Sequence, residues 1–141
     1  MKILPLLVNN NIRFTSDYKY DNLEEDNNVH NFLIDEEGDV HGAGGDVTIE
    51  NQEINVSIPG LETWLSEYMW QVCVPCESGK LSREELNKTF DWESFHQTGI
   101  ELAKEVKKRL PPYVTLIYKS PFEDISGLIK PDFIIDENSK L

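Results

Sequence analysis

The chain has few cations, two cysteines and no long apolar run. No stretch approaches the roughly 18 to 20 apolar residues that a membrane helix needs, so we expect no association with a membrane. The short apolar start at residues 1–8 is interpreted as a first strand rather than a secretory signal, because Pro5 interrupts it and no small-residue cleavage site follows. Two cysteines without an export signal predict a protein of the reducing cytoplasm.

The shortage of Lys and Arg is concentrated in the first half of the chain. The whole sequence has 13 Lys and Arg against 26 Asp and Glu, a net charge of −13. Residues 1–60 hold 12 of the acids with only Lys2, Arg13 and Lys19 as cations, whereas residues 61–141 hold 14 acids and 10 cations. Because contacts to phosphate need Lys and Arg, this distribution disfavours nucleic acid as a ligand and favours a positively charged partner.

The apolar content is that of a folded protein. Hydrophobic residues make up 39% of the chain and aromatic residues 10%, more than a disordered acidic chain would have. A length of 141 residues fits one compact domain. We therefore expect a single domain over residues 1–141, with a β-rich part at 1–58, a helical part at 59–110, and a strand and tail at 113–141.

Alternation of apolar and polar side chains predicts strands in the first part, with one solvated face. The longest alternating face consists of Ile12, Phe14, Ser16, Tyr18 and Tyr20. Shorter runs follow at Phe32 and Ile34, at Val47 and Ile49, and at Ile54, Val56 and Ile58. Asn51-Gln52 lies between the last two runs and predicts the tip of a hairpin.

Helical spacing replaces the alternation after Pro59, which we expect in the first turn of a helix. The apolar stripe of this helix comprises Leu61, Trp64, Leu65, Tyr68, Met69 and Val72. A capping box at Ser82 to Glu85 predicts a second helix, and Asp91 begins a long third one that Pro111-Pro112 ends.

Two further strands are expected at residues 114–118 and 133–135, which are rich in β-branched and aromatic residues. Strands, then helices, then strands predict an α+β fold. Its architecture is a mainly antiparallel sheet with two to three helices packed on one face.

The motif Cys73-Val74-Pro75-Cys76 is the main candidate for chemistry by a thiol or a metal. Such a turn is redox-active when it follows a strand and begins a helix, but here it follows a predicted helix. A zinc site would need two more ligands, and no second pair of suitable spacing exists. We interpret the motif as a helix-terminating turn with partly buried cysteines, and we expect neither a metal nor another cofactor.

The histidines and the glycine-rich segment do not match a catalytic pattern. His30, His41 and His96 have no Ser or Cys partner in a recognisable nucleophile motif. His96 stands beside Phe95 at the edge of an apolar stripe, which favours a hydrogen bond to a neighbouring strand over a role as general base. Residues 42–45 satisfy neither phosphate-binding glycine pattern, so the glycine-rich segment 41–46 predicts a mobile loop or a bulged turn. We therefore expect no catalytic residue.

Acidic clusters are the remaining feature, and they occur at residues 24–26, 35–39, 50–53 and 123–124. Charge runs usually form a solvated face, but four clusters in so acidic a chain favour an electrostatic binding face equally. A basic protein such as a nuclease is the natural complement, with steered and salt-sensitive association. The predicted partner-binding residues are Glu24, Glu25, Asp26, Asp35, Glu36, Glu37 and Asp39, with Tyr18 and Tyr20 as aromatic anchors.

A group of residues in the second half carries a resemblance to a known family. They are Asp91-Trp92-Glu93-Ser94-Phe95-His96, Gly99, Leu102-Ala103, Leu110-Pro111, Tyr118 and Pro121-Phe122-Glu123-Asp124. This pattern, with the size and acidity of the chain, resembles immunity proteins of contact-dependent growth inhibition and related polymorphic toxin systems.

The resemblance implies a non-enzymatic protein that binds one cognate toxin domain, often a nuclease, and blocks its active site or substrate surface. Two alternatives stay open. One is an acidic inhibitor or adaptor of a phage or mobile element that imitates the charge of nucleic acid. The other is a small thiol enzyme that acts through Cys73 and Cys76.

Overall fold

A computed structural model describes residues 11–15, 31–34, 40–42, 46–49, 52–55, 58–131 and 133–141. The strands are β1 Asn11–Thr15, β2 Asn31–Ile34, β3 Val40–Gly42, β4 Asp46–Ile49, β5 Gln52–Asn55, β6 Thr115–Lys119 and β7 Phe133–Ile134. The helices are α1 Leu61–Tyr68, α2 Val74–Glu77, α3 Arg83–Thr89 and α4 Trp92–Arg109, and a π-helical turn, Met69–Cys73, joins α1 to α2. The described residues thus form the predicted α+β fold.

Five strands form one sheet in the order β3-β2-β1-β6-β7. Its neighbouring strands are antiparallel except for β1 and β6, which run parallel from the pair Asn11 and Thr115 to the pair Thr15 and Lys119. The mainly antiparallel sheet is therefore confirmed. The parallel pair was not predicted, because alternation along a strand specifies its faces and not its neighbour.

The strands β4 and β5 form a separate antiparallel pair, which confirms the predicted hairpin. Val47 lies opposite Ile54, and Ile49 lies opposite Gln52. The predicted tip at Asn51-Gln52 is wrong at Gln52, which belongs to β5, and Asn51 lies outside the described residues. The β-branched residues Val47 and Ile54 favour strands, so the two strands could be predicted from the sequence. Polar residues are common in turns, so the sequence did not show that Gln52 belongs to a strand.

The helix α1 buries the whole predicted stripe together with the turn that follows it. Leu61, Trp64, Leu65 and Tyr68 are buried in α1, and Met69 and Val72 are buried in the π-helical turn. Pro59 was predicted in the first turn, but it lies before the helix, whose N-cap is Gly60 with φ of 91°. Glycine adopts this left-handed conformation without the steric cost that a side chain would bring.

The helix-terminating turn predicted at Cys73-Val74-Pro75-Cys76 is wrong, because Val74–Glu77 is helical. Pro75 has no N–H to donate to the carbonyl four residues before it, and a widened turn lets a helix continue past such a residue. The wide turn also directs Met69, Val72 and Cys73 into the core. The helical segment then ends at Ser78 and Gly79, and Gly79 has φ of 82°.

The helices α3 and α4 begin where the sequence predicts. Ser82 accepts a hydrogen bond from the Glu85 backbone at 3.1 Å, and the Glu85 carboxylate accepts one from the Ser82 backbone at 2.9 Å. Asp91 caps α4 by accepting from the Ser94 backbone at 3.1 Å. These contacts satisfy N–H groups that no helical carbonyl can reach.

The helices pack on one face of the sheet. Phe14 of β1 lies 5.4 Å from the Trp64 ring and 5.8 Å from the Tyr118 ring, measured between ring centroids. Trp64 stacks on Phe95 of α4 with a centroid distance of 4.8 Å, and its indole N–H donates to the Phe95 carbonyl. An aromatic cluster from β1, α1, α4 and β6 thus forms the centre of the core. No helix in the described part of the chain is long and apolar enough to cross a membrane.

Candidate functional site

The predicted partner-binding residues lie outside the described residues. This holds for Glu24, Glu25, Asp26, Asp35, Glu36, Glu37, Asp39, Tyr18 and Tyr20, and also for His30. His41 and Gly42 belong to β3 rather than to a loop, while residues 43–45 are not described. The acidic binding face therefore stays a prediction.

The two cysteines lie in the helical segment that follows α1. Cys76 is partly buried, as expected, whereas Cys73 is fully buried in the core. The predicted turn is wrong, since Cys73 ends the π-helical turn and Cys76 lies in α2. Neither thiol lies at the start of a helix that follows a strand, which is the setting that activates such motifs.

A buried polar network lies where α4, β6 and the chain after β6 meet. His96 of α4 contacts the Tyr118 hydroxyl through Nδ1 at 2.9 Å and the Asp124 carboxylate through Nε2 at 2.6 Å. His96 and Tyr118 are fully buried, and the Asp124 side chain is 2% exposed. The predicted hydrogen bond between His96 and a neighbouring strand is confirmed, with β6 as that strand.

Gly99 allows this network to form. It lies one turn after His96 on α4, and a Cβ atom built on it would overlap the Tyr118 hydroxyl and the Trp64 ring. Only glycine leaves the space that Tyr118 needs to reach His96. The sequence showed a glycine at a buried helical position, which is the signal for such a close approach.

Burial, hydrogen bonds and nearby charge determine the protonation states of Asp124 and Tyr118 in this network. Burial alone would raise the pKa of the Asp124 carboxyl, but hydrogen bonds from His96 and Ser126 outweigh it and hold this pKa below the ordinary value. Burial, together with the Asp124 charge, raises the pKa of Tyr118 well above its ordinary value. At neutral pH, Asp124 is therefore a carboxylate that accepts from His96 Nε2–H, and Tyr118 keeps its proton.

A Tyr–His–Asp arrangement could relay a proton, but a general acid or base must reach its substrate. His96 and Tyr118 have no exposed surface. Grooves of about 570 and 530 Å³ run along α4, yet other residues line them, among them Glu101, Lys104 and Thr98. The network therefore acts as a structural tie between α4, β6 and the segment that contains Asp124.

Further hydrogen bonds hold that segment. The Glu123 carboxylate accepts from the Tyr68 hydroxyl at 2.9 Å, and the Glu123 carbonyl accepts from the Asn87 side-chain amide at 2.9 Å. Asn87 is fixed in turn, because its oxygen accepts from the Trp92 indole at 2.7 Å. Arg83 donates to the Phe122 carbonyl at 2.8 Å, and its guanidinium carbon lies 4.1 Å from the centre of the Phe122 ring.

Residues 121–128 bury their acidic side chains and expose apolar ones, which is the reverse of an ordinary surface loop, and we call them the inverted loop. Its acids face inward, with Glu123 and the Asp124 side chain each only 2% exposed. Its apolar side chains face outward, with Phe122 65%, Ile125 49% and Leu128 44% exposed. The acidic pair 123–124, expected on a charged surface, is therefore buried, because Tyr68, His96 and the Ser126 backbone supply the carboxylates with hydrogen bonds that solvent would otherwise provide.

The helical segment presents a second exposed aromatic residue, Trp70, which is 68% exposed. It belongs to a stretch, residues 20–79, that contains 14 Asp and Glu and neither Lys nor Arg. Glu67 lies in the same stretch, and burial, followed by the charge of Asp91, raises the pKa of its carboxyl.

No group of three or more His, Cys, Asp or Glu side chains suited to a metal ion occurs among the residues that the structure describes. No protein-family model, curated protein or solved structure matches this chain.

Proposed function

We propose that this chain is a non-enzymatic immunity protein that binds and neutralises a cognate basic toxin domain, with a nuclease as the expected class. The observation that carries the proposal is the charge of residues 20–79, which hold 14 acids and no Lys or Arg. A field of one sign over such a length attracts a protein whose own surface is built to bind phosphate.

The use of the titratable side chains also supports binding rather than catalysis. Four of these side chains form internal hydrogen bonds that fix the inverted loop. They are His96, Tyr118, Asp124 and Glu123. Catalytic groups need access to a substrate, and these groups lack it.

In this proposal, the acids of residues 24–39 occupy the positions on the toxin where the phosphates of its substrate would bind. Tyr18 and Tyr20 anchor the contact, since aromatic side chains often supply the largest contributions in an interface. The toxin keeps its fold but loses access to its substrate.

A pull-down from the source cell at low and at high salt, with mass spectrometry of the bound proteins, tests the function. Recovery of one basic toxin domain, encoded beside this chain, supports the proposal. Recovery of many unrelated basic proteins, all lost at high salt, contradicts it in favour of a charge mimic. A bait that recovers no basic protein contradicts both.

A further inference from the structure

We infer that the inverted loop is the apolar contact surface of this protein for its basic partner, through Phe122, Ile125 and Leu128. This inference rests on the proposed function, and it adds an apolar anchor to the acidic surface proposed above. The inverted loop is distant in sequence from the acids of residues 24–39.

The observed polarity is energetically unfavourable for an isolated protein. Removing a carboxylate from water is unfavourable unless hydrogen bonds compensate, whereas Phe and Ile side chains stabilise a fold when they are buried. The opposite arrangement, with Phe122 and Ile125 inside and the acids in water, would be the ordinary one for a surface loop. Such an inversion is understandable if the apolar side chains are covered in a complex.

Hydrogen bonds fix the inverted loop before any partner binds. Arg83 and Asn87 hold the carbonyls of Phe122 and Glu123, and Asn87 also accepts from the Ile125 backbone at 3.2 Å. The Asp124 carboxylate accepts from the Ser126 backbone at 2.7 Å. A surface ordered in advance loses little conformational entropy on binding, which is the property of a good interface anchor.

The net charge of the chain indicates which partner covers the apolar side chains of the inverted loop. A second copy of this chain also has a net charge of −13, so long-range repulsion opposes self-association. Nucleic acid and the anionic surface of a membrane are repelled in the same way. A positively charged folded protein is attracted by the chain and is able to cover apolar side chains, so it is the occupant to which we commit.

Ile134 provides the matched control for this inference. Its exposed fraction of 55% is close to the 49% of Ile125, but it lies in β7, outside both the inverted loop and the acidic stretch of residues 20–79. An isolated exposed apolar side chain is common on protein surfaces, whereas three on one rigid loop are not.

The experiment titrates the basic protein that the wild-type bait recovers, produced separately and without catalytic activity, into three purified chains. These are the wild type, the double variant Phe122→Ser/Ile125→Ser, and Ile134→Ser. We expect the double variant to bind at least about tenfold more weakly at both low and high salt, since the lost contacts are apolar. Ile134→Ser should stay within about twofold of the wild type.

The unfolding transition of each variant serves as the check on folding, because exposed side chains contribute little to the core. If the double variant does not fold, Leu128→Ser, which leaves the hydrogen bonds of residues 122–125 in place, replaces it with the same expected direction of change. Equal binding by the loop variants and the wild type, or a loss confined to Ile134→Ser, overturns the inference and leaves the proposed function intact.

Two other outcomes are equally decisive. If wild-type protein sediments as a dimer and the double variant as a monomer, the loop contacts a second copy and the inference is wrong. If the wild type recovers no basic protein at all, the proposed function fails and this inference fails with it.

Discussion

At the scale of single residues, Gly99 shows how one missing side chain determines a polar network. A methyl group at this position would overlap both the Tyr118 hydroxyl and the Trp64 ring. Because both neighbours are fully packed, neither can move away without disturbing the core.

We therefore expect Gly99→Ala to lower the free energy of unfolding by about 2 to 3 kcal/mol, although alanine favours helices more than glycine does. Urea unfolding of the variant measures this loss. Thr98→Ala, at an exposed position of the same helix, is the control and should change stability by less than about 0.5 kcal/mol. A stable Gly99→Ala protein would mean that Tyr118 does not approach α4 as described.

The Asp124 carboxylate gives a prediction for pH dependence. Hydrogen bonds from His96 and Ser126 hold its pKa below the ordinary 3.8, so the folded state binds this proton less readily than the unfolded state. The resulting stability is fully present above pH 3.8 and is lost as pH falls through the lower folded value.

Asp124→Asn should therefore cost about 2 kcal/mol at neutral pH, and the difference from the wild type should shrink as pH falls below 3.8. Urea unfolding at a series of pH values measures this. Glu137→Gln, at an exposed site near the other end of the chain, is the control and should follow the wild-type curve. A constant difference across the acid range would show that the Asp124 charge does not stabilise the fold.

At the scale of elements, periodic spacing predicted the helices well, because burial of a stripe such as Leu61, Trp64 and Tyr68 determines where a helix lies. Local chemistry likewise placed the starts of α3 and α4, since Ser82 and Asp91 cap them. Besides the parallel pairing of β1 with β6, two further features escaped prediction. The π-helical turn depends on the missing donor of Pro75, and the burial of Glu123 and Asp124 depends on partners that are distant in sequence.

The proximity of α1 to the start of α4 predicts a substitution that stabilises the protein, in contrast to Asp124→Asn. Burial and the charge of Asp91 raise the pKa of Glu67, so ionised Glu67 opposes folding above its folded pKa. Glu67→Gln should stabilise the protein at neutral pH by less than about 0.5 kcal/mol, because solvent screens a carboxylate that is only partly buried.

Thermal unfolding of Glu67→Gln and the wild type measures this effect. The gain should vanish below pH 4.5, where Glu67 is protonated in both the folded and unfolded states. Glu62→Gln, at an exposed position of the same helix, is the control. Destabilisation at neutral pH by Glu67→Gln would contradict the assigned direction of the pKa change.

At the scale of the whole molecule, the position of the negative charge matters as much as its amount. The prediction compares two sets of five acid-to-Lys substitutions that change the net charge equally. The first set is Glu24, Glu25, Asp35, Glu36 and Glu37. The control set, exposed in the second half, is Glu84, Glu93, Glu101, Glu105 and Glu137.

We expect the first set to slow association with the basic partner by at least about tenfold at low salt, and the control set to have a smaller effect. Stopped-flow mixing at several salt concentrations measures both. Equal slowing by the two sets would assign the steering to net charge alone, and no slowing by the first set would remove residues 24–39 from the binding face.

The parallel pairing of β1 with β6 has a consequence for how the chain is made. Asn11 and Thr115 are partners although about a hundred residues separate them, so closing this loop is entropically costly. A ribosome releases β1 long before β6, and α1 to α4 emerge in between. The centre of the five-stranded sheet is therefore completed only after residues 115–119 have left the ribosome, and a nascent chain that stops before residue 115 leaves one edge of β1 without its neighbour.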